Sequence, residues 1–113
     1  MRETGKADDR SRYQCRVCGL DHYPDMPWGA NGKDPSYIIC GCCGAEFGYD
    51  DEAHEQRRQH WIEKDNCKWS SPKERPLDWD MVSQVRSIAP AFRGVMDEQL
   101  IADYLAKNPK QNT

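Results

Sequence analysis

Two pairs of cysteines govern what this chain can become. Cys15 and Cys18 form CRVCG, Cys40 and Cys43 form CGCCG, and 21 residues lie between the pairs, slightly beyond the usual zinc-ribbon interval of ~15 to 20. Each pair is followed by glycine, which supplies the positive φ needed to leave a turn whose backbone N–H groups point at sulfur. The residues leading in, RYQC and SYIIC, carry aromatic or β-branched side chains, so each half reads as a strand entering a metal-binding knuckle. Four thiolates around one tetrahedral Zn(II), one ion per chain, follow on Cys15, Cys18, Cys40 and Cys43. A redox dithiol, another metal or no metal are the alternatives that the same spacing leaves open.

The compartment decides between metal and disulfide. Six cysteines in 113 residues suit disulfides in an oxidising environment or a metal in a reducing one. The opening MRETGKADDRSR has no apolar core for a signal peptide, and no stretch approaches the ~18 apolar residues of a membrane helix. The expected location is therefore cytoplasmic and away from membranes. With 37% hydrophobic and 31% charged residues and a mean hydropathy of -1.00, apolar side chains are scarce enough that a metal brace makes physical sense.

One thiol of the second cluster is left over. Cys42 replaces Cys43 as a ligand only by closing a tighter C-x-C bite, so it falls outside the quartet. It reads either as a small buried residue or as an accessory redox thiol able to form a disulfide with a ligand and eject the metal. Four negative sulfurs nearby should raise its pKa and blunt that reactivity. Cys67, in DNCKWSS, has no partner in sequence and reads as structural. The histidines add no second metal face: His54 and His60 are six apart, about 120° around a helix, and His22, near the first knuckle, reads as a solvated loop residue, with a fifth ligand as the lesser alternative. Two complete C-x-x-C pairs leave no open position for water, and the deaminase pattern fails on order and spacing. No enzyme activity is expected.

The run YQCRVCGL, followed by PDMPWGANGKDPSYIICGCCGAEFGYDD, resembles the bacterial cysteine-rich CPCC family over roughly residues 13–69. The shared features are the C-x-x-C-G start, the proline, tryptophan and glycine turn, P-S-Y before the second cluster, and E-F-G-Y-D after it. Gly41 stands where the family has the proline that gives it its name. The resemblance implies a small bacterial protein taken to bind zinc, in some cases encoded within toxin and immunity gene neighbourhoods, and brings no catalytic residues.

The expected architecture is α+β: a small zinc-ribbon-like β unit with two cysteine knuckles, followed by about three helices. Residues 1–12 are charged and read as a disordered lead, 13–107 as a single zinc-stabilised domain divided into the ribbon (13–49) and a helical part (50–107), and 108–113 as a tail. The loop DHYPDMPWGANGKDP makes turns. Helices are expected over 52–64, capped by Asp50 or Asp51; over 79–89, after Asp78; and over 96–107, where Met96, Leu100, Ile101, Tyr104 and Leu105 form one stripe. The stripes and the four tryptophans serve the core first.

Charge separates the function classes. Nucleic-acid-binding ribbons usually show a basic face, whereas this chain carries a net charge of -3, and four thiolates with one Zn(II) bring it to about -5. Between Glu46 and Glu55 five acids and no Lys or Arg occur. Asp50, Asp51, Glu52 and Glu55 are candidate partner-binding residues that steer a basic protein. The expected function is recognition of another protein, for instance as an immunity or antitoxin-like factor neutralising a basic toxin. A zinc-thiolate redox switch using Cys42 is the alternative, and a nucleic-acid-binding ribbon is disfavoured by charge.

Overall fold

Each C-x-x-C-G segment closes into the same turn. The Cys15 N–H donates to the Leu20 carbonyl and the Gly19 N–H returns to the Cys15 carbonyl; Cys40 with Ala45, and Gly44 with Cys40, repeat the pattern, all at 2.9 Å. One residue outward, an isolated antiparallel bridge joins Gln14 to Asp21 and, in the second copy, Ile39 to Glu46. Gly19 and Gly44 leave their turns at φ +89° and +81°, the left-handed region where a side chain is costly. This computed structural model describes residues 10–109.

The expected ribbon does not extend beyond those bridges. Among the described residues there is no strand and no sheet, so the α+β assignment with a zinc-ribbon β unit is overturned. Ladder growth is blocked on three of the four flanks. A 3-10 turn, Arg10–Tyr13, precedes Gln14, and Pro24 follows Asp21 within three residues. Ahead of Ile39, Tyr37 lies at φ 60°, outside the extended region, and Pro35 has no N–H to donate. The lead expected over 1–12 lies outside the described residues up to position 9, and its last residues belong to the 3-10 turn.

Three helices follow among the described residues: α1 His54–Glu63, α2 Met81–Arg86 and α3 Asp97–Lys107. Short 3-10 turns, Pro72–Glu74 and Pro90–Phe92, each opened by proline, lie between them. α1 begins two residues later than expected because neither aspartate caps it. Asp50 accepts from the Glu46 N–H at 3.0 Å, and Asp51 accepts from the Gly48 N–H at 2.8 Å and the Trp28 indole N–H at 2.7 Å. α2 is capped by Asp80, whose carboxylate accepts from the Val82 N–H at 3.1 Å and the Ser83 hydroxyl at 2.6 Å. At the far end, the amides of Asn108 and Asn66 pair reciprocally at 3.0 Å, so position 108 belongs to the fold; 110–113 lie outside the described residues.

The helices each add one buried face to the core that holds the knuckles, with α1 and α3 packed on each other. α1 contributes Trp61 and Ile62, α2 contributes Met81 and Val85, with Ile88 just past its end, and α3 contributes Leu100, Ile101 and Tyr104. These join the cysteines, Val17 and Phe47 in one cluster, each large side chain worth about 1.5–3 kcal/mol on burial. Met96, expected on the α3 stripe, is half exposed. The approach of α2 to the first knuckle is close: a Cβ on Gly19 would collide with the Gln84 carbonyl oxygen. Fold and site are therefore one body.

Candidate metal centre

The two turns point their cysteines at a common centre. The sulfurs of Cys15 and Cys43 lie 3.6 Å apart and those of Cys18 and Cys40 3.7 Å apart, and all four lie within 4.8 Å of one another. A tetrahedron with metal–sulfur bonds of ~2.3 Å has edges of ~3.8 Å, so the cross-knuckle spacings fit one ion. Cys15, Cys18 and Cys40 are wholly buried, and Cys43 is 4% exposed. Of the six cysteines, the quartet brought together is the one that the C-x-x-C spacing selects.

Burial makes the thiolate form of this set unfavourable without a cation. It pushes the Cys15 and Cys18 thiols well up, while contacts from Cys15, Cys18 and Cys43, and lastly from His22, draw Cys40 down. A bound divalent ion lets every member shed its proton, because the positive charge replaces four separate desolvation costs.

The surroundings hold the turns in register. The Val17 N–H donates to the Cys15 sulfur at 3.4 Å. Gln84 of α2 bridges both knuckles, donating to the Cys18 carbonyl at 3.1 Å and to the Cys42 sulfur at 3.4 Å, while the Trp79 indole N–H fixes its amide oxygen at 2.8 Å. Arg57 of α1 donates to the Cys43 carbonyl at 3.1 Å. Its neighbour Arg58, wholly buried, donates through Nε to the Val17 carbonyl at 2.7 Å and through NH2 to the Arg16 carbonyl at 2.8 Å.

The remaining candidates fall in different places. Cys42 is fully buried beneath the second turn. Cys67 is also buried, at φ 59°, and burial pushes its thiol up to about 12. Gly41 leaves room for Glu74, whose carboxylate oxygen would collide with a Cβ there. Of the four acids expected to meet a partner, Asp51 is 1% exposed and committed to Trp28 and Gly48, which removes it from any surface patch. Asp50 is half-buried and bonded to Glu46, whereas Glu52 and Glu55 are exposed. His22 departs from the solvated loop residue expected: its Nε2 is buried with no hydrogen-bond partner.

Sequence reasoning missed Arg58 and Gln84. For Arg58 a signal existed. It precedes Trp61 and Ile62 by three and four positions, so it shares their helical face, and an arginine on an apolar face must be satisfied internally. For Gln84, between Met81 and Val85 on a short helix, no comparable signal exists.

No protein family, curated protein or solved structure matches the chain, so the resemblance to the CPCC proteins rests on the quoted motifs.

Proposed function

We propose that the chain is a non-enzymatic zinc protein whose single Zn(II), held by Cys15, Cys18, Cys40 and Cys43, braces a surface that recognises a basic protein. The observation that carries the metal half is the sealed quartet: four sulfurs within 4.8 Å of one another, buried to 4% exposure or less. A site closed in this way offers water no coordination position, which suits a structural ion rather than a catalytic one. Zinc is the natural occupant of a four-thiolate tetrahedron, and its binding supplies on the order of 10 kcal/mol to the fold.

Support for recognition comes from the outer side of the second turn. Tyr37, Ile38, Ile39 and Tyr49 are exposed large side chains, and backbone hydrogen bonds between Tyr37 and Phe47 and between Phe47 and Ile38 tie the segments that carry them. Glu46 faces Ile39 across the bridge, and Asp50 and Glu52 follow Tyr49. An apolar patch with an acidic margin suits a basic partner anchored by an aliphatic or aromatic side chain. The resemblance, with its toxin and immunity gene neighbourhoods, puts a basic toxin first among such partners. The redox alternative gains nothing, since Cys42 is buried and bonded to Gln84.

Two measurements test this. Native mass spectrometry under reducing conditions should find one zinc per chain, and its absence would sink the metal half. Photocrosslinking from position 39 in native cells should trap a basic protein whose yield falls when Glu46 and Glu52 are neutralised; a trapped set that ignores those substitutions would overturn the recognition half.

A further inference from the structure

Beside the first knuckle lies a cleft of about 300 Å³ whose wall, among the described residues, includes Arg12 and Arg16 and no Asp or Glu. Arg16 is held there in a fixed plane. Its guanidinium carbon stands 4.3 Å from the ring centroids of both Trp28 and Phe92, a cation clamped between two aromatic faces that also line the cleft. Nη2 donates to the Gly32 carbonyl at 2.9 Å, and among the described residues this is the side chain's one hydrogen bond. A guanidinium carries several N–H donors and no acceptor, so most of its donors are unspent. Burial works against the charge, and Asp51 in second place works for it, but that carboxylate lies outside the cleft lining and is taken by Trp28 and Gly48. The loop on the far rim adds a further donor. Asn31 sits between Gly29 and Gly32, both at positive φ, and its Oδ1 accepts from the Lys33 N–H at 2.8 Å, which leaves the amide nitrogen to offer.

We propose that this cleft binds a phosphate group, free or carried by a small ester, with Arg16 as its fixed donor, Asn31 as a second and Arg12 adding charge. A planar carboxylate is satisfied by one guanidinium edge. A phosphate, with oxygens pointing several ways and up to two negative charges, uses donors from the 3-10 turn, the knuckle and the glycine-flanked loop together. The aromatic clamp orders the arginine before any ligand arrives, which lowers the cost of binding. A volume at the lower end of the range for ligand pockets suits a small molecule. The inference stands apart from the metal and partner readings above.

The test titrates inorganic phosphate into the full nitrogen-15-labelled chain, under reducing conditions and at constant ionic strength. The amide signals of residues 29–32 and the Trp28 indole signal should move together and saturate, while those of Lys64 and Lys73, exposed and outside the cleft, stay in place. Arg16→Lys keeps the charge but loses the planar fork, and should bind on the order of 10-fold more weakly. Asn31→Asp keeps the acceptor for Lys33 and brings a negative charge to the cleft. It should weaken binding by a similar factor, and it decides the matter should Arg16→Lys fail to fold. Sulfate should compete and acetate should not. Glycerol phosphate separates the two sources: tighter binding than inorganic phosphate assigns the site to an ester, weaker binding to the free ion. Shifts that never saturate, that appear equally at Lys64 and Lys73, or that both variants leave unchanged overturn the site, and acetate bound as tightly as phosphate overturns the ligand class.

Discussion

The wholly buried Arg58 guanidinium meets the Asp97 carboxylate through one nitrogen, at 2.8 and 3.0 Å from its two oxygens, while its other nitrogens hold the carbonyls of Arg16, Val17 and Phe92. One side chain from α1 thus ties the interior of the first knuckle to the first residue of α3. Asp97 also accepts from the Gly94 N–H at 2.9 Å, which fixes the carboxylate before the helix begins.

Removing the acid alone should be severe. Asp97→Leu leaves an unbalanced buried cation and should cost about 3–5 kcal/mol, and Arg58→Met with Asp97→Leu should recover little of that loss, because it leaves the carbonyls of Arg16, Val17 and Phe92 without their donor. Urea unfolding of the zinc-loaded proteins measures both. Equal stability of the parent and the Asp97→Leu single variant would show that the pair is not coupled to the fold.

Gly19 should tolerate no side chain. Gly19→Ala combines a left-handed backbone with a collision against the Gln84 carbonyl; the conformational part alone is worth about 1–2 kcal/mol, and displacement of α2 adds to it. Thermal unfolding should show a larger loss than for Gly32→Ala, which shares the positive φ but meets only the end of Arg16.

The second cluster should divide cleanly into ligands and filler. Cys40→Ser should abolish stoichiometric zinc and much of the cooperative unfolding transition. Cys42→Ala should keep the metal and cost about 1–3 kcal/mol, as a small buried truncation does. Zinc content by mass spectrometry separates the two, and a Cys42→Ala variant without zinc would place that sulfur in the coordination set.

A pH effect is expected at His54, whose ring stands edge-to-face on Phe92 at 5.5 Å. Burial first, and Arg58 second, hold its pKa below the ordinary histidine value. The folded state therefore prefers neutral imidazole: its full stability is present above the unfolded pKa of ~6.5 and falls as pH drops from there toward the lower folded value. His54→Gln should remove this component, so the stability difference between parent and variant, both zinc-loaded, should change across that window. A difference constant from pH 7.5 to 5.5 would refute it.

What could be read from the sequence was the chemistry carried by local spacing. A C-x-x-C-G segment closes its own turn, and two of them select Cys15, Cys18, Cys40 and Cys43 without reference to the rest of the chain. The strands were misread because RYQC and SYIIC have the right side chains for extension, while the backbone at Tyr37 and the 3-10 turn before Gln14 permit one bridge each. The start of α1 was misplaced because Asp50 and Asp51 look like caps in sequence but are taken by Glu46, Gly48 and Trp28 in space. Gln84 bonds Cys18 across 66 positions, and no periodicity reports a contact of that separation.

The clasp on Arg58 also sets an order of events at the ribosome. The last cysteine of the quartet, Cys43, precedes Asp97 by 54 residues, which at ~5–20 residues per second is about 3–11 s of synthesis. Throughout that interval the four sulfurs are made, but the carboxylate that balances the buried guanidinium is not. The nascent chain therefore carries all four thiols before the helix that supplies Asp97 exists.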